Sequence, residues 1–280
     1  MTGPCWTAKS WNVRTETLLG LWNLSDGAFR RKLSPREGKA LIKAAYRKGI
    51  RWFDSAYSYQ DADSVLASAM RELGAEDWKV ISKVMPVETM RRKTEAVLRR
   101  LGRDHVDILL IHWPTDRDLY RRLEELERLK EEGKAFEIGV SNFPTELLEK
   151  VTRDFPLAYH QRALSLAFSK GWEEEKALPV RTIAYSPLAS GVLCGKKREG
   201  LGYPELGKLS GISPSKALSW VYGEKPWGVV SGFSSPSQLS ILDEIAELPD
   251  QAELSMLSSG LEWESDNVFN HSWRNDAGTT

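Results

Sequence analysis

Short apolar runs alternate along the chain with longer stretches in which apolar residues recur every third or fourth position, a pattern that predicts strand then helix, eight times over. TLLGLW (Thr17–Trp22) precedes SPREGKALIKAAYRKG, where Ser34 and Glu37 have capping-box spacing, Pro35 takes the first helical position and Gly49 closes the helix. IRWF leads into a helix from Asp61 to Leu73. WKVISK (Trp78–Lys83) leads into ETMRRKTEAVLRRLG, and VDILLIH (Val106–His112) into DLYRRLEELERLKEEG, whose Leu119, Leu123, Leu126 and Leu129 fall on one helical stripe. FEIGVS (Phe136–Ser141) is followed by TELLEKV, LAYHQ by a short helix at Trp172–Ala177, RTIAYS by a long connection and SPSKALSWVYG, and WGVVSG by SPSQLSILDEIAEL. The strands are apolar almost throughout, as expected when both faces of a parallel sheet are covered.

Eight such units predict a (β/α)8 TIM barrel, read as one domain over residues 1–280 with a C-terminal tail of about 258–280 near the active-site rim. A doubly wound open sheet is the competing architecture, and no GxGxxG follows the first strand to support it. The irregular pieces are Ala189–Gly211, rich in Gly and Lys, and the polar tail after Ser258.

Composition narrows the partners. Lys plus Arg and Asp plus Glu number 39 each, which gives no electrostatic reason to expect nucleic acid or a membrane surface. The two cysteines, Cys5 and Cys194, lie far apart in no metal-binding spacing, and MTGPCWTAKSWNVRTE lacks an apolar leader. The expectation is a cytoplasmic protein. Its oligomeric state is not readable from the sequence.

In a barrel of this kind the chemistry sits where the strands end. Asp54 ends the second predicted strand, Lys83 the third and His112 the fourth, and Tyr59 lies just after Asp54. Taken singly, each has an ordinary reading as a turn cap, a solvated strand end or a core histidine. Together they bring a carboxylate, a phenol, an ammonium and an imidazole to one rim.

The ordered segments DSAYSY, ISK, LLIHWP, IGVSNF and AYSPL resemble the aldo/keto reductase family over about Thr17 to Leu257. The resemblance implies a barrel that passes hydride from NADPH, with NADH possible, to a small aldehyde or ketone. It implies a catalytic set of Asp54, Tyr59, Lys83 and His112, with Tyr59 chosen over Tyr57 because the family spaces its tyrosine five residues after the aspartate. In this reading Tyr59 is the proton donor, Lys83 lowers its pKa, Asp54 holds the lysine and His112 orients the carbonyl. Ser141, Asn142 and Gln161 match the groups that bond the carboxamide, and Tyr185 the ring that stacks on nicotinamide. Ser186, Leu188 and Ser190 would follow the pyrophosphate. After the eighth strand, SGFSSPSQL puts Gly232, Ser234 and Gln238 where relatives carry a cation for the 2′-phosphate. Trp22, Trp113 and Tyr57 are the expected substrate walls, with Trp263, Phe269 and Trp273 of the tail as further aromatic candidates.

Three rivals use the same fold. A Schiff-base aldolase would employ Lys83, and a non-catalytic nucleotide-binding sensor subunit would bind cofactor without turnover. A metal-dependent hydrolase has the least support, since His105, His112, His160 and His271 form no HxH pair.

Overall fold

A computed structural model of the chain describes residues 15–26, 31–85, 87–114, 118–196 and 211–245. The tail, with Trp263, Phe269 and Trp273, lies outside the described residues, as do Cys5 and most of Ala189–Gly211. The strands are β1 (Glu16–Gly20), β2 (Trp52–Asp54), β3 (Lys79–Val84), β4 (Val106–Ile111), β5 (Ala135–Ser141), β6 (Tyr159–Ala163), β7 (Arg181–Tyr185) and β8 (Gly228–Ser231). All pair in parallel with their sequence neighbours, and β8 returns to β1 through Leu18↔Val230, which closes the barrel. Between and after them run α1 (Pro35–Arg47), α2 (Ala62–Leu73), α3 (Met90–Leu101), α4 (Leu119–Glu131), α5 (Thr145–Asp154), α6 (Trp172–Glu175), α7 (Pro214–Gly223) and α8 (Ile241–Glu244). The open-sheet alternative is therefore set aside. No helix among the described residues is long and apolar enough to cross a membrane.

Local chemistry explains most boundaries. The Ser34–Glu37 capping box forms in both directions, and Ser213 caps α7 through the Lys216 N–H. Two elements depart from the sequence pattern. The helix expected over Trp172–Ala177 is a single turn that ends at Glu175. The one expected from Ser235 begins as a 3-10 turn over Pro236–Ser240, where the Ser240 hydroxyl donates to the Ser237 carbonyl.

Because side chains alternate across a strand, residues two apart share the barrel interior. The lower interior is apolar: Leu18, Ile81, Ile108, Leu110, Ile183 and Val230 pack there. Trp52 and Tyr159 meet Trp227 edge-on at 5.0 and 4.8 Å, an aromatic plug at the amino ends of the strands. Two residues further up, the same interior rows turn polar, from Trp52 to Asp54, Ile81 to Lys83, Leu110 to His112 and Tyr159 to Gln161. The opposite strand faces, including Leu19, Phe53, Val80 and Leu109, join the helices in a second core.

Gly139 is demanded by the closeness of β5 and β6. A Cβ there would stand 2.1 Å from the Tyr159 carbonyl oxygen, which is backbone and cannot rotate away. Gly139→Ala should therefore destabilise the fold by about 1–3 kcal/mol, as overpacking does. Urea unfolding checks it, and a wild-type midpoint would mean that the two strands lie further apart.

Outside β6, Glu175 is buried among charges. Burial alone would raise its carboxyl, but the Arg162 guanidinium and the hydrogen bonds from His160 and Thr182 work the other way and hold it below its usual 4.5. A carboxyl whose folded pKa is depressed stabilises fully above its unfolded value and loses that contribution as pH falls. That contribution should thus fade as pH falls below 4.5. Glu175→Gln should flatten that part of the stability–pH curve; an unchanged slope would count against the assignment.

Candidate active site

The polar interior positions open into a cavity of about 680 Å³ at the carboxyl ends of the strands. That size suits a small-molecule site. Asp54, Tyr59, Lys83 and His112 all line it. The Lys83 ammonium donates to Asp54 Oδ1 and Oδ2 at 2.8 and 2.9 Å and to the Ser55 carbonyl at 2.9 Å. Only 3% of Lys83 and 4% of Asp54 is exposed, so the pair works in a low-dielectric setting. Lys83 Nζ is 5.2 Å from the Tyr59 ring centre, and the Tyr59 and His112 rings stand edge-on at 6.3 Å. Four groups from three consecutive βα units thus meet around one void.

Their electrostatics differ from the sequence reading in one respect. Burial first, then the charge of Asp54 and the neighbouring Tyr185, push the Tyr59 phenol well above its usual 10. The expectation that Lys83 lowers it is corrected. Burial disfavours the phenolate, and the Asp54 carboxylate bonded to the Lys83 ammonium brings a negative charge close to the phenol as well. Burial likewise draws Lys83 below its usual range, with Asp54 working the other way. Burial and the Lys83 charge push His112 well below 6.5, so the imidazole is neutral at physiological pH.

The rim beyond β5 to β7 is tied together. Asn142 donates through Nδ2 to the His112 carbonyl and the Ser141 hydroxyl, both at 3.0 Å, and its Oδ1 accepts from the Tyr185 hydroxyl at 2.6 Å. Gln161 donates through Nε2 to Asp54 Oδ2 at 2.6 Å, which joins this group to the lysine pair. Ser141, Asn142, Gln161 and Tyr185 all line the cavity. After β7 the chain bends sharply, with Ser186, Ala189 and Ser190 all at positive φ, and Ser186, Leu188 and Ser190 border the cavity.

Other expected residues fall differently. Trp22 and Trp113 line the cavity, with Trp113 stacked on His112 at 6.1 Å. The Trp113 indole N–H is buried and has no hydrogen-bond partner among the described residues. Tyr57 does not line the cavity. Its ring packs with Lys93 Nζ and the Arg100 guanidinium at 5.1 and 4.9 Å, because a 3-10 turn over Tyr57–Tyr59 points residues two apart in different directions. Ser234 is also absent from the lining: its N–H donates to Gln238 Oε1 at 2.7 Å, while Gly232 and Gln238 reach the cavity.

Sequence reasoning missed Lys196, which borders the cavity from the connection after β7. The Lys pair within the Gly- and Lys-rich segment was its signal. No three His, Cys, Asp or Glu side chains gather as a metal site among the described residues.

Comparison with known proteins agrees with this geometry. The profile of the aldo/keto reductase family matches residues 17–253. A 9,11-endoperoxide prostaglandin H2 reductase of Trypanosoma cruzi is 31% identical over 71% of this chain and 71% of its own. Methylglyoxal reductase YeaE of Escherichia coli is 27% identical over 85% of this chain and 88% of its own. Among solved structures, an aldo/keto reductase from Klebsiella pneumoniae in complex with NADP and acetate superposes with a TM-score of 0.70 at 26% identity, over 87% of this chain and 90% of that one. The chain belongs to the aldo/keto reductase family.

Proposed function

We propose that the protein is an NADPH-dependent reductase of small aldehydes and ketones, with Tyr59 as the general acid. The observation that carries this reading is the buried Asp54–Lys83 pair beside the Tyr59 ring, with neutral His112 edge-on to that ring, all lining one cavity. The cavity suits the cofactor: Tyr185 offers a ring face, Ser141, Asn142 and Gln161 offer amide and hydroxyl groups, and Ser186, Leu188, Ser190 and Gln238 extend the lining along one side. Lys196 supplies a cation that the segment after β8 lacks. The Klebsiella relative is described with NADP, in line with this choice. Ser234 enters the proposal only through the Gln238 side chain that it orients. The barrel is read as a single domain.

When bound, the nicotinamide supplies the hydride. The residues of this chain supply the rest. Tyr59, protonated because burial keeps its pKa high, gives its proton to the carbonyl oxygen as negative charge develops there. His112, neutral, orients that oxygen without adding a charge of its own. Lys83 and Asp54 hold a fixed dipole under the phenol. Trp22 and Trp113 wall the substrate end, which favours apolar or aromatic carbonyl compounds. Small dicarbonyls of the kind named for the Escherichia coli relative fit the same donors.

An aldolase role for Lys83 has to contend with its three N–H donors, each already engaged with an oxygen. The test is a panel of aldehydes and ketones followed by NAD(P)H absorbance with both cofactors. Turnover with NADPH preferred is expected. Tight NADPH binding with negligible turnover on every compound would replace the reductase by a sensor, and borohydride trapping of substrate on Lys83 would replace it by an aldolase.

A further inference from the structure

His160 and Glu175 form a buried pair that the proposed chemistry does not use: each is 1% exposed. We propose that His160, fixed in its Nδ1–H tautomer by Glu175, is the positioning residue for the turn Ser141–Asn142–Phe143 at the cavity rim. The part of this inference that concerns cofactor rests on the reductase reading above.

The turn needs an outside restraint. Asn142 sits at φ 64°, a left-handed conformation that asparagine tolerates better than most residues but does not favour. Its own N–H still donates to a strand carbonyl, that of Gln161, at 2.9 Å. The chain then leaves the ladder, and the next amide, Phe143 N–H, is buried with a ring nitrogen as its partner: it donates to His160 Nε2 at 3.2 Å. A nitrogen that accepts carries no proton, so the imidazole is neutral and its proton is on Nδ1. Nδ1 stands 2.8 Å from Glu175 Oε1, where a carboxylate can only accept. Thr182 Oγ1 donates to the same oxygen and an Arg162 guanidinium nitrogen to Oε2, each at 2.8 Å, so the carboxylate is held from three sides and cannot follow the ring.

The pair lies behind the site because β6 alternates. Gln161 faces inward to Asp54, and His160 faces outward to Glu175. What the turn carries is the Asn142 amide, which bonds the His112 carbonyl and the Tyr185 hydroxyl. A turn that shifts moves three rim groups at once.

The experiment combines imidazole nitrogen NMR, hydrogen exchange and cofactor affinity in the full-length protein. In the wild type at neutral pH, His160 should show a protonated Nδ1 and a bare Nε2. His160→Asn keeps a short donor toward Glu175 but cannot reach Phe143, whereas His160→Gln places an amide oxygen near the Nε2 position. With loss of one hydrogen bond, the Asn variant should exchange the Phe143 amide about tenfold faster and bind NADPH about tenfold more weakly, and the Gln variant should recover most of both. Should either variant fail to fold, Glu175→Gln tests the same claim by shifting the wild-type tautomer. An Nε2–H or doubly protonated ring in the wild type, or Asn and Gln variants alike in Phe143 exchange, would overturn the inference. A wild type that binds no NADPH refutes the cofactor reading alone, and the tautomer and exchange results still decide the turn.

Discussion

Tyr59→Phe is expected to lower kcat for aldehyde reduction by roughly two to four orders of magnitude, the range that a positioned general acid contributes. The Kd for NADPH should stay near wild type, because in the proposed mechanism the phenol oxygen serves the carbonyl, and the ring that remains keeps its packing against His112. The pH dependence follows from the direction of the shift. A phenol raised well above 10 is protonated throughout the neutral and mildly alkaline range, so reduction should be level there. Oxidation of the corresponding alcohol needs the phenolate and should climb with pH. Since burial draws Lys83 below its usual 10.5, the first alkaline loss of reduction should report the lysine rather than the tyrosine. A Tyr59→Phe variant with wild-type kcat would remove the phenol from the mechanism.

Lys83→Met is expected to destabilise the fold by about 3–5 kcal/mol, as breaking a buried ion pair does. The reason is what remains. Asp54 would keep the single donor Gln161 Nε2 and would be a nearly unpaired charge at a site 4% exposed. Adding Asp54→Leu, similar in shape and without charge, should return most of the stability, since a well-packed apolar pair can match a buried ionic one. Neither variant should reduce aldehydes. Urea unfolding of the two singles and the double forms a cycle whose coupling energy isolates the pair. A Lys83→Met protein within about 1 kcal/mol of wild type would show that the pair is solvated, as exposed ion pairs are.

The rim was legible in the sequence to the extent that strand position alone decides it. Asp54, Lys83 and His112 stand at or next to the ends of apolar runs, and the two-residue period that buries Trp52 and Ile81 below them points the polar ends into the same cavity. Tyr57 shows where the rule stops. It is two residues from Tyr59, but a 3-10 turn has three residues per turn, and the ring goes to Arg100 instead of the cavity. The direction of Lys196 was illegible for a related reason: a connection that bends through five positive-φ residues has no period from which a direction can be read. The sign of the Tyr59 shift was missed because burial of the phenol, its largest cause, and the nearness of the Asp54 charge are matters of packing in three dimensions that spacing along the chain does not contain.

The central claim is that hydride reaches a carbonyl carbon while Tyr59 protonates the oxygen, and one isotope measurement tests it most directly. An aldehyde accepted by the wild type is incubated with NADPH carrying deuterium at both C4 positions of the nicotinamide, and the alcohol is analysed by mass spectrometry for wild type and Tyr59→Phe side by side. Deuterium on the former carbonyl carbon in the wild-type product, and almost none formed by the variant over the same time, is the predicted result. Product without the label, or label delivered by the variant at the wild-type rate, would contradict it.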